Sequence, residues 1–304
     1  TKDPSRTNLV NMAKILQAYA FLVLTDSYGD IPYTEAGKGY TDQVVYPKYD
    51  KQQVVYTGII KEISDAVAAL DANKVKESAD VLYGGDVAKW KKFGNSLLLR
   101  IGMRLSKVDA TQAQSLVAKA VAGGVITSNA DNVIIRHDAN YLNSIGQLLN
   151  STESNNFYLA APFVDYLKKT NDPRLKSIAV RYVGAASGTQ QVAARAVVDP
   201  AVQIGMPLGY DNSSISGPVK ALGLASFYDF SQADRTRMNK TTARAYLVTA
   251  SQTNLLIAEA ITKGWVSGNA KDYFEAGVRA HMDQVSEMDA NSVIASSAAD
   301  AYLA

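Results

Sequence analysis

Leu9, Met12, Leu16, Tyr19 and Val23 recur at intervals of three and four residues, a spacing that predicts a helix with one apolar stripe near the start of the chain. Ser5 or Thr7 is placed to cap it. The run Thr25-Asp26-Ser27-Tyr28-Gly29-Asp30 is expected to end the helix, and Pro32 to keep it ended. Gly37 to Tyr49 shows no period and reads as a loop. Asp50, with Gln53 three residues on, resembles a capping box for a second helix whose stripe is Val55, Ile59, Ile63, Val67 and Leu70. Asp86 is positioned to cap a third, with Trp90, Phe93, Leu97, Ile101 and Leu105 on one face and Arg100 and Arg104 on its flank. Thr111 and Gln114 form a capping box for a fourth, which Gly123-Gly124 stops.

From about residue 125 to 240 the pattern changes. Val133-Ile134-Ile135 and Ile178 to Val183 read as short strands, and Phe163 to Lys169 as a short helix stopped before Asp172-Pro173-Arg174. Residues 184 to 220 are rich in Gly, Ala and Ser without a period, and loops on a rigid scaffold often hold binding residues. Helical spacing returns over Thr242 to Lys263 and Ala270 to Met288, with Tyr273, Gly277, His281 and Val285 on one face of the latter. Ala258, Ala260, Gly264, Trp265, Ala270 and Tyr273 alternate small and large as in a tetratricopeptide-type helix pair, although no strict 34-residue repeat recurs. The fold class expected is mainly α: tetratricopeptide-like helix pairs with irregular loops and a few short strands.

Composition narrows the function. The 304 residues are 47% hydrophobic and 20% charged, so a substantial core is available. The 31 basic and 29 acidic residues leave a net charge of only +2, and they are interspersed; the cluster Lys89, Lys91 and Lys92 surrounds Trp90 without forming a stripe, which argues against nucleic-acid binding. The absence of Cys excludes disulfides, Cys-ligated zinc, iron–sulfur clusters and thiol nucleophiles. Tyr outnumbers Phe by 17 to 7, with two Trp; a ring that packs while its hydroxyl stays wet suits sugar-like or peptide-like ligands, and also ordinary amphipathic helices. The polar start Thr1 to Arg6 carries no signal peptide, and the apolar run Ala18 to Leu24 is too short to span a bilayer.

Catalytic patterns are missing. His137 and His281 lack the i, i+4 partner of a metal-binding helix and read as structural; Gly84-Gly85-Asp86 opens a helix but no Lys-Ser/Thr follows, and no dinucleotide fingerprint or nucleophile elbow occurs. No calcium-loop spacing is found, so neither metal nor cofactor is expected. Asp26 and Asp30 are the tempting pair for glycoside hydrolysis, but turn formation and capping account for both.

Several segments carry a resemblance. They are Leu24-Thr25-Asp26-Ser27-Tyr28-Gly29-Asp30-Ile31-Pro32-Tyr33-Thr34-Glu35-Ala36, then Tyr46-Pro47-Lys48-Tyr49-Asp50 with Gln52-Gln53, then Asp80-Val81-Leu82-Tyr83-Gly84-Gly85-Asp86. Trp90-Lys91-Lys92-Phe93-Gly94-Asn95-Ser96-Leu97, Arg100 and Met103-Arg104-Leu105 follow, and later Asp172-Pro173-Arg174-Leu175, Ala258-Glu259-Ala260, Lys263-Gly264-Trp265, Ala270 and Tyr273. In this order and over most of the chain they resemble the SusD/RagB family, closest to its branch with a Gly-Asp-x-x-Lys-Trp block.

The resemblance implies one SusD-like domain over 1–304, incomplete at both ends, since the family's lipidated Cys and later helices are not in this sequence. It implies a non-catalytic, outward-facing lipoprotein of the outer membrane, attached only through an N-terminal lipid anchor lying outside this chain. Such a protein captures oligosaccharides or peptides and delivers them to a SusC-like TonB-dependent transporter. The motif residues Asp26, Gly29, Asp30, Pro32, Asp86, Trp90, Arg100 and Arg174 read as structural. Candidates for ligand contact are Tyr141, Asn143, Tyr210, Phe227 and Tyr228 in the less regular loops, with ordinary packing the competing reading for each. Two other functions fit part of the sequence: a helical-repeat scaffold that binds only protein, and a glycan-active enzyme on a helical frame.

Overall fold

A computed structural model describes residues 3–304, with eleven α-helices, five short strands and several single turns of 3-10 helix among those residues. The architecture is mainly α and divides into two compact units: residues to 133 with 246–278, and 134–245 with 279–304.

The first unit is built from helix pairs. α1 (Thr7–Tyr28) and α2 (Gln52–Ala69) run antiparallel: Asn8 near the start of α1 donates to Asp71 O (2.8 Å) and accepts from Asp71 N (3.0 Å), while Gln52 opening α2 donates to Thr25 O (2.8 Å). α3 (Val87–Arg104) and α4 (Ala110–Ala122) form a second antiparallel pair, joined where Asn95 Nδ2 donates to the carbonyls of Gly123 (2.8 Å) and Gly124 (3.0 Å) that follow α4. These are the tetratricopeptide-like pairs expected, and α9 (Ala250–Thr262) packs on α3.

The core is apolar: Ile15, Leu22, Val55, Ile59, Ile63, Trp90, Phe93, Leu97, Ile101, Ala113 and Val117 are all buried. Full burial of each large side chain contributes about 1.5–3 kcal/mol. Close helix approach depends on glycine, because a Cβ on Gly94 would stand 2.3 Å from Val67 Cγ2 and one on Gly102 2.7 Å from Val117 Cγ2.

The helix boundaries expose where side-chain hydrogen bonds overrule periodicity. The buried face of α1 is Asn8, Asn11, Met12, Ile15, Ala18, Leu22 and Thr25, whereas Leu16 and Val23 are exposed, so the stripe is rotated from the one the spacing predicts. The Asn8–Asp71 exchange and the Thr25 hydroxyl bond to Gly29 O (2.7 Å) turn these polar residues inward. α1 also runs through Thr25–Tyr28 and stops only at Gly29, in the left-handed region at φ 76°. The Ser27 hydroxyl bonds back to Val23 O (2.8 Å), and the Thr25 hydroxyl reaches forward to Gly29 O while Gly29 N donates to Thr25 O (2.8 Å), so these polar residues are accommodated in the last turn of the helix. At 22 residues α1 is long and apolar enough to cross a membrane, but its Met12–Leu22 face is part of this core.

Neither Ser5 nor Thr7 caps α1: Arg6 holds that place and Ser5 bonds Asp3 instead. Asp50 does not cap α2 either. Its carboxylate accepts from Tyr33 N (3.2 Å), Thr34 N (2.7 Å) and Thr34 Oγ1 (2.8 Å), and Asp30 takes over the capping, accepting from Gln52 N at 3.0 Å. Asp86 caps α3 through Lys89 N (3.1 Å) as expected. α4 is capped by Asp109 through Gln112 N (2.9 Å) and not by Thr111, so the helix starts two residues earlier than the capping box predicts. The stretch from Thr242 is not one helix: β5 (Ala245–Val248) comes first, a β-branched and aromatic run, and Thr249 then caps α9 through Gln252 N (3.2 Å). α10 spans Ala270–Met288 as expected.

The second unit is held differently. β1 (Val133–Ile135) precedes α5 (Ser144–Leu149), α6 (Ala161–Lys169), α7 (Leu175–Ile178) and β2 (Ala179–Tyr182); then come β3 (Ala196–Val197), α8 (Ser216–Ala221), β4 (Gln232–Ala233) and, at the end, α11 (Ser296–Leu303). β2 lies between β3 and β4, antiparallel to both, with Arg181 opposite Val197 and Val180 opposite Gln232. Small apolar clusters, such as Ile215, Leu224 and Phe230 against Tyr158, Ile204, Met206, Val219 and Phe227, are separated by buried polar side chains. Asp229 accepts from Arg181 Nε (3.0 Å) and Gly184 N (3.0 Å); Asp234 from Arg237 Nε (2.5 Å) and Thr236 N (2.9 Å). Gln203 bonds Val197 O, Asp199 O and the Ser231 hydroxyl.

Candidate functional site

One open groove of about 620 Å³ in the second unit joins an exposed aromatic ring to a polar group. Ala161 and Asp165, four residues apart on one face of α6, make one wall. Ile204, Gly205 and Pro207 approach that wall through the parallel bridge Ala160–Met206, closed by Ala161 N donating to Met206 O (2.8 Å) and Met206 N to Leu159 O (2.8 Å). The approach needs Gly205, where a Cβ would stand 2.5 Å from Ala161 Cα.

Tyr210 follows, half exposed at 50%, and no other aromatic ring among the described residues stacks on it. The next residue fixes the turn. Asp211 accepts from the hydroxyls of Ser214 (2.7 Å) and Ser213 (2.7 Å) and from both their backbone amides, which hold its carboxyl well below the usual range. α8 supplies the far wall with Gly217, Pro218, Ala221 and the exposed Leu222.

The other sequence candidates lie apart from this groove's lining. Tyr141 is 61% exposed and its ring lies 4.8 Å from that of His137. Asn143 caps α5, accepting from Gly146 N (2.9 Å) and donating to Ala243 O (3.0 Å), so both ends of its amide are engaged. Phe227 and Tyr228 stack on each other at 4.0 Å and pack on different apolar clusters; Phe227 also meets Tyr158 edge-on at 6.0 Å. Burial pushes the Tyr158 hydroxyl up to about 12, so it stays protonated and donates to Asn155 O (2.7 Å). Asp165, Pro207, Gly217 and Leu222 escape a reading by residue type; the turn formers Gly205, Pro207, Gly209 and Pro218 on either side of Tyr210 were the available signal.

Two further clefts lack an available ring. One of about 610 Å³ in the same unit is lined by Leu167, Pro173, Lys176, Pro200, Val293 and Ile294 among others. One of about 550 Å³ in the first unit contains Tyr56, whose hydroxyl is committed to Asp26 at 2.5 Å. Among the described residues, no group of three or more His, Asp or Glu side chains could hold a metal ion.

The model of the SusD-like family, described as starch-binding and associating with the outer membrane, matches residues 1–303. The chain belongs to this family. Solved structures agree. A chitin-binding protein is 30% identical, with a TM-score of 0.82 over 100% of this chain and 62% of its own. A Bacteroidetes SusD-like protein is 26% identical (TM-score 0.79, 100% and 66%), and a chitin-binding SusD homologue from Flavobacterium johnsoniae 27% (0.74, 97% and 55%). The chain thus spans about three fifths of the length of these structures. A comparison with curated proteins finds no match.

The SusD-like motif residues sit within the scaffold. Asp26 pairs with Arg104 and accepts from Tyr56; Gly29 ends α1; Asp30 caps α2; and Pro32 lies partly buried beside the Ile31–Asp50 bridge. Asp86 caps α3, and Trp90 is buried with its Nε1 donating to Asp80 (2.7 Å). Arg100 donates to Leu247 O (2.9 Å) and Gln252, and its guanidinium lies 6.0 Å over the Tyr19 ring. Arg174 pairs with the buried Asp172 and contacts His281 Nδ1 at 3.1 Å.

Proposed function

We propose that this SusD-like protein captures oligosaccharides on the outward face of the outer membrane, in the Tyr210 groove, and passes them to a partner TonB-dependent transporter without breaking a bond. The observation that carries the reading is a half-exposed, unstacked tyrosine in an open groove of a chain whose 30%-identical structural neighbour is a chitin-binding protein. A sugar ring offers an apolar face to the Tyr ring and hydroxyls to the groove's polar atoms. A binding role is supported by the lining, which carries a single carboxylate, Asp165, whereas glycoside hydrolysis works with two flanking the bond.

The test is titration calorimetry of the chain with chito- and malto-oligosaccharides, comparing wild type with Gly217→Phe and Tyr210→Ala. Gly217 lines the groove and a Cβ there meets nothing within 4 Å, so a large side chain is introduced from open space at the groove wall. Saturable binding of one sugar series, abolished by Gly217→Phe and weakened several-fold by Tyr210→Ala, with melting temperatures unchanged, supports the reading. Binding that both variants leave intact would place the ligand elsewhere, and steady turnover of either series would overturn a purely binding role.

A further inference from the structure

Asp165 is the one acidic side chain in the groove's lining. Asp211, next to Tyr210 in the chain, is consumed by Ser213 and Ser214. Asp165 is exposed and, among the described residues, its carboxylate has no hydrogen-bond or ion-pair partner. The lysine three residues on is committed elsewhere, donating to Ala201 O (3.2 Å) and Gln203 O (3.0 Å). No basic side chain lines the groove, so the one charged side chain of its lining is Asp165, which shares that lining with the ring of Tyr210.

Both features favour the same ligand group. A carboxylate attracts an ammonium through Coulomb interaction, and an aromatic face attracts it through its quadrupole. A neutral sugar gains only hydroxyl bonds to the carboxylate, and an N-acetylated one must also seat an amide against it. Resting on the capture reading above, we infer that the groove selects sugars bearing a free ring amine, so that oligomers of 2-amino-2-deoxyglucose bind more tightly than their N-acetylated or neutral counterparts. Asp165 is the specificity-determining residue and Tyr210 the platform.

Calorimetric titrations with the tetramers of glucosamine and N-acetylglucosamine and with maltotetraose test this in mildly acidic buffer, where sugar amines are protonated, and in mildly alkaline buffer, where they are largely neutral. A carboxylate at an exposed site gives a preference of about fivefold for the glucosamine tetramer in the acidic buffer, from a Coulomb energy of about 1 kcal/mol at 4 Å in water. That preference shrinks with added salt, disappears in the alkaline buffer, and is removed by Asp165→Asn while binding of the N-acetylated tetramer persists. Equal or tighter binding of the N-acetylated tetramer by wild type, or an equal loss for all three sugars in Asp165→Asn, overturns the inference. The capture reading fails separately, by Gly217→Phe leaving every titration unchanged.

Discussion

Both units bury polar side chains, but the helical unit sets them among many more buried apolar ones than the loop-rich unit does. The helical unit fills its interior with Ile15, Leu22, Ile59, Ile63, Phe93, Leu97 and Ile101, which helical spacing gathers onto one face of each helix. The loop-rich unit buries Asp172, Gln203, Asp229, Ser231, Gln232 and Asp234, each tied to backbone or to an arginine. An apolar interior is indifferent to direction, so any side chain of suitable size contributes; a polar interior works only when every donor meets its acceptor. The groove sits in the second kind of unit, where loops without a period must be held in one conformation, and the buried polar bonds are what specify it.

The largest effect that tests this contrast is at Asp229. Its partner Arg181 is 12% exposed, so Asp229→Ala leaves a nearly buried cation without its carboxylate and is expected to destabilise by about 3–5 kcal/mol. The double variant Arg181→Met/Asp229→Leu, which removes both charges, should recover most of that loss in urea unfolding. If the double variant were as unstable as the single one, the network would be providing stability beyond the charge pair itself. In the helical unit the cost should instead follow volume: Leu97→Ala about 2–5 kcal/mol and Ile59→Val about 0.5–1.5 kcal/mol, read from the same transitions. A polar core that responded to volume in the same graded way would erase the difference between the units.

This difference also sets what the amino-acid sequence reveals. The stripe from Trp90 to Ile101 and the Asp86 cap are legible because they depend on periods and on neighbours three residues away. The rotated face of α1 is not, because Asn8 turns inward to meet Asp71, 63 residues distant. Asp50 and Asp30 exchange expected roles for the same reason: Asp50 is drawn back to Tyr33 and Thr34, leaving Asp30 to cap α2. In the groove, Tyr210 could be picked out by residue type among loops. Asp165 could not, since one more Asp on a short helix shows its lack of a partner only when the loops around it are placed.

A smaller effect separates local from distant structure within the helical unit. Asp86→Ala removes the side-chain acceptor for Lys89 N and should destabilise by about 1 kcal/mol, with Asp86→Asn restoring most of it. Thermal unfolding of the two variants decides between capping and a charge effect, because Asn accepts the same bond without the charge. Equal loss in both would show that charge, through interaction with the start of α3, is the larger contribution.

The smallest effect at neutral pH, and the one that grows on acidification, belongs to His281 in the polar unit. Burial first, and the adjacent Arg174 second, lower its pKa from the ordinary value of 6.5; Asp172 opposes this, and Tyr302 completes the cluster around Arg174. Arg174 Nη1 donates to Nδ1 at 3.1 Å, which places the ring proton on Nε2. Protonating Nδ1 would remove that bond and set two cations side by side. The unfolded chain accepts a proton near the ordinary value while the folded chain resists it, so stability rises with pH across this interval and is lost as pH falls below about 6.5. Asp172 follows in a separate window. Burial disfavours its charge, but the Arg174 bonds outweigh burial and keep its pKa lowered, so its contribution is lost only as pH falls through the carboxylate range. His281→Gln, which retains an acceptor but does not titrate, is therefore expected to match wild type in urea at neutral pH and to lose less stability under mildly acidic conditions. An unchanged pH slope in His281→Gln would mean that the ring already escapes Arg174 when it protonates, and that this part of the polar interior rearranges more freely than the Asp229 pair.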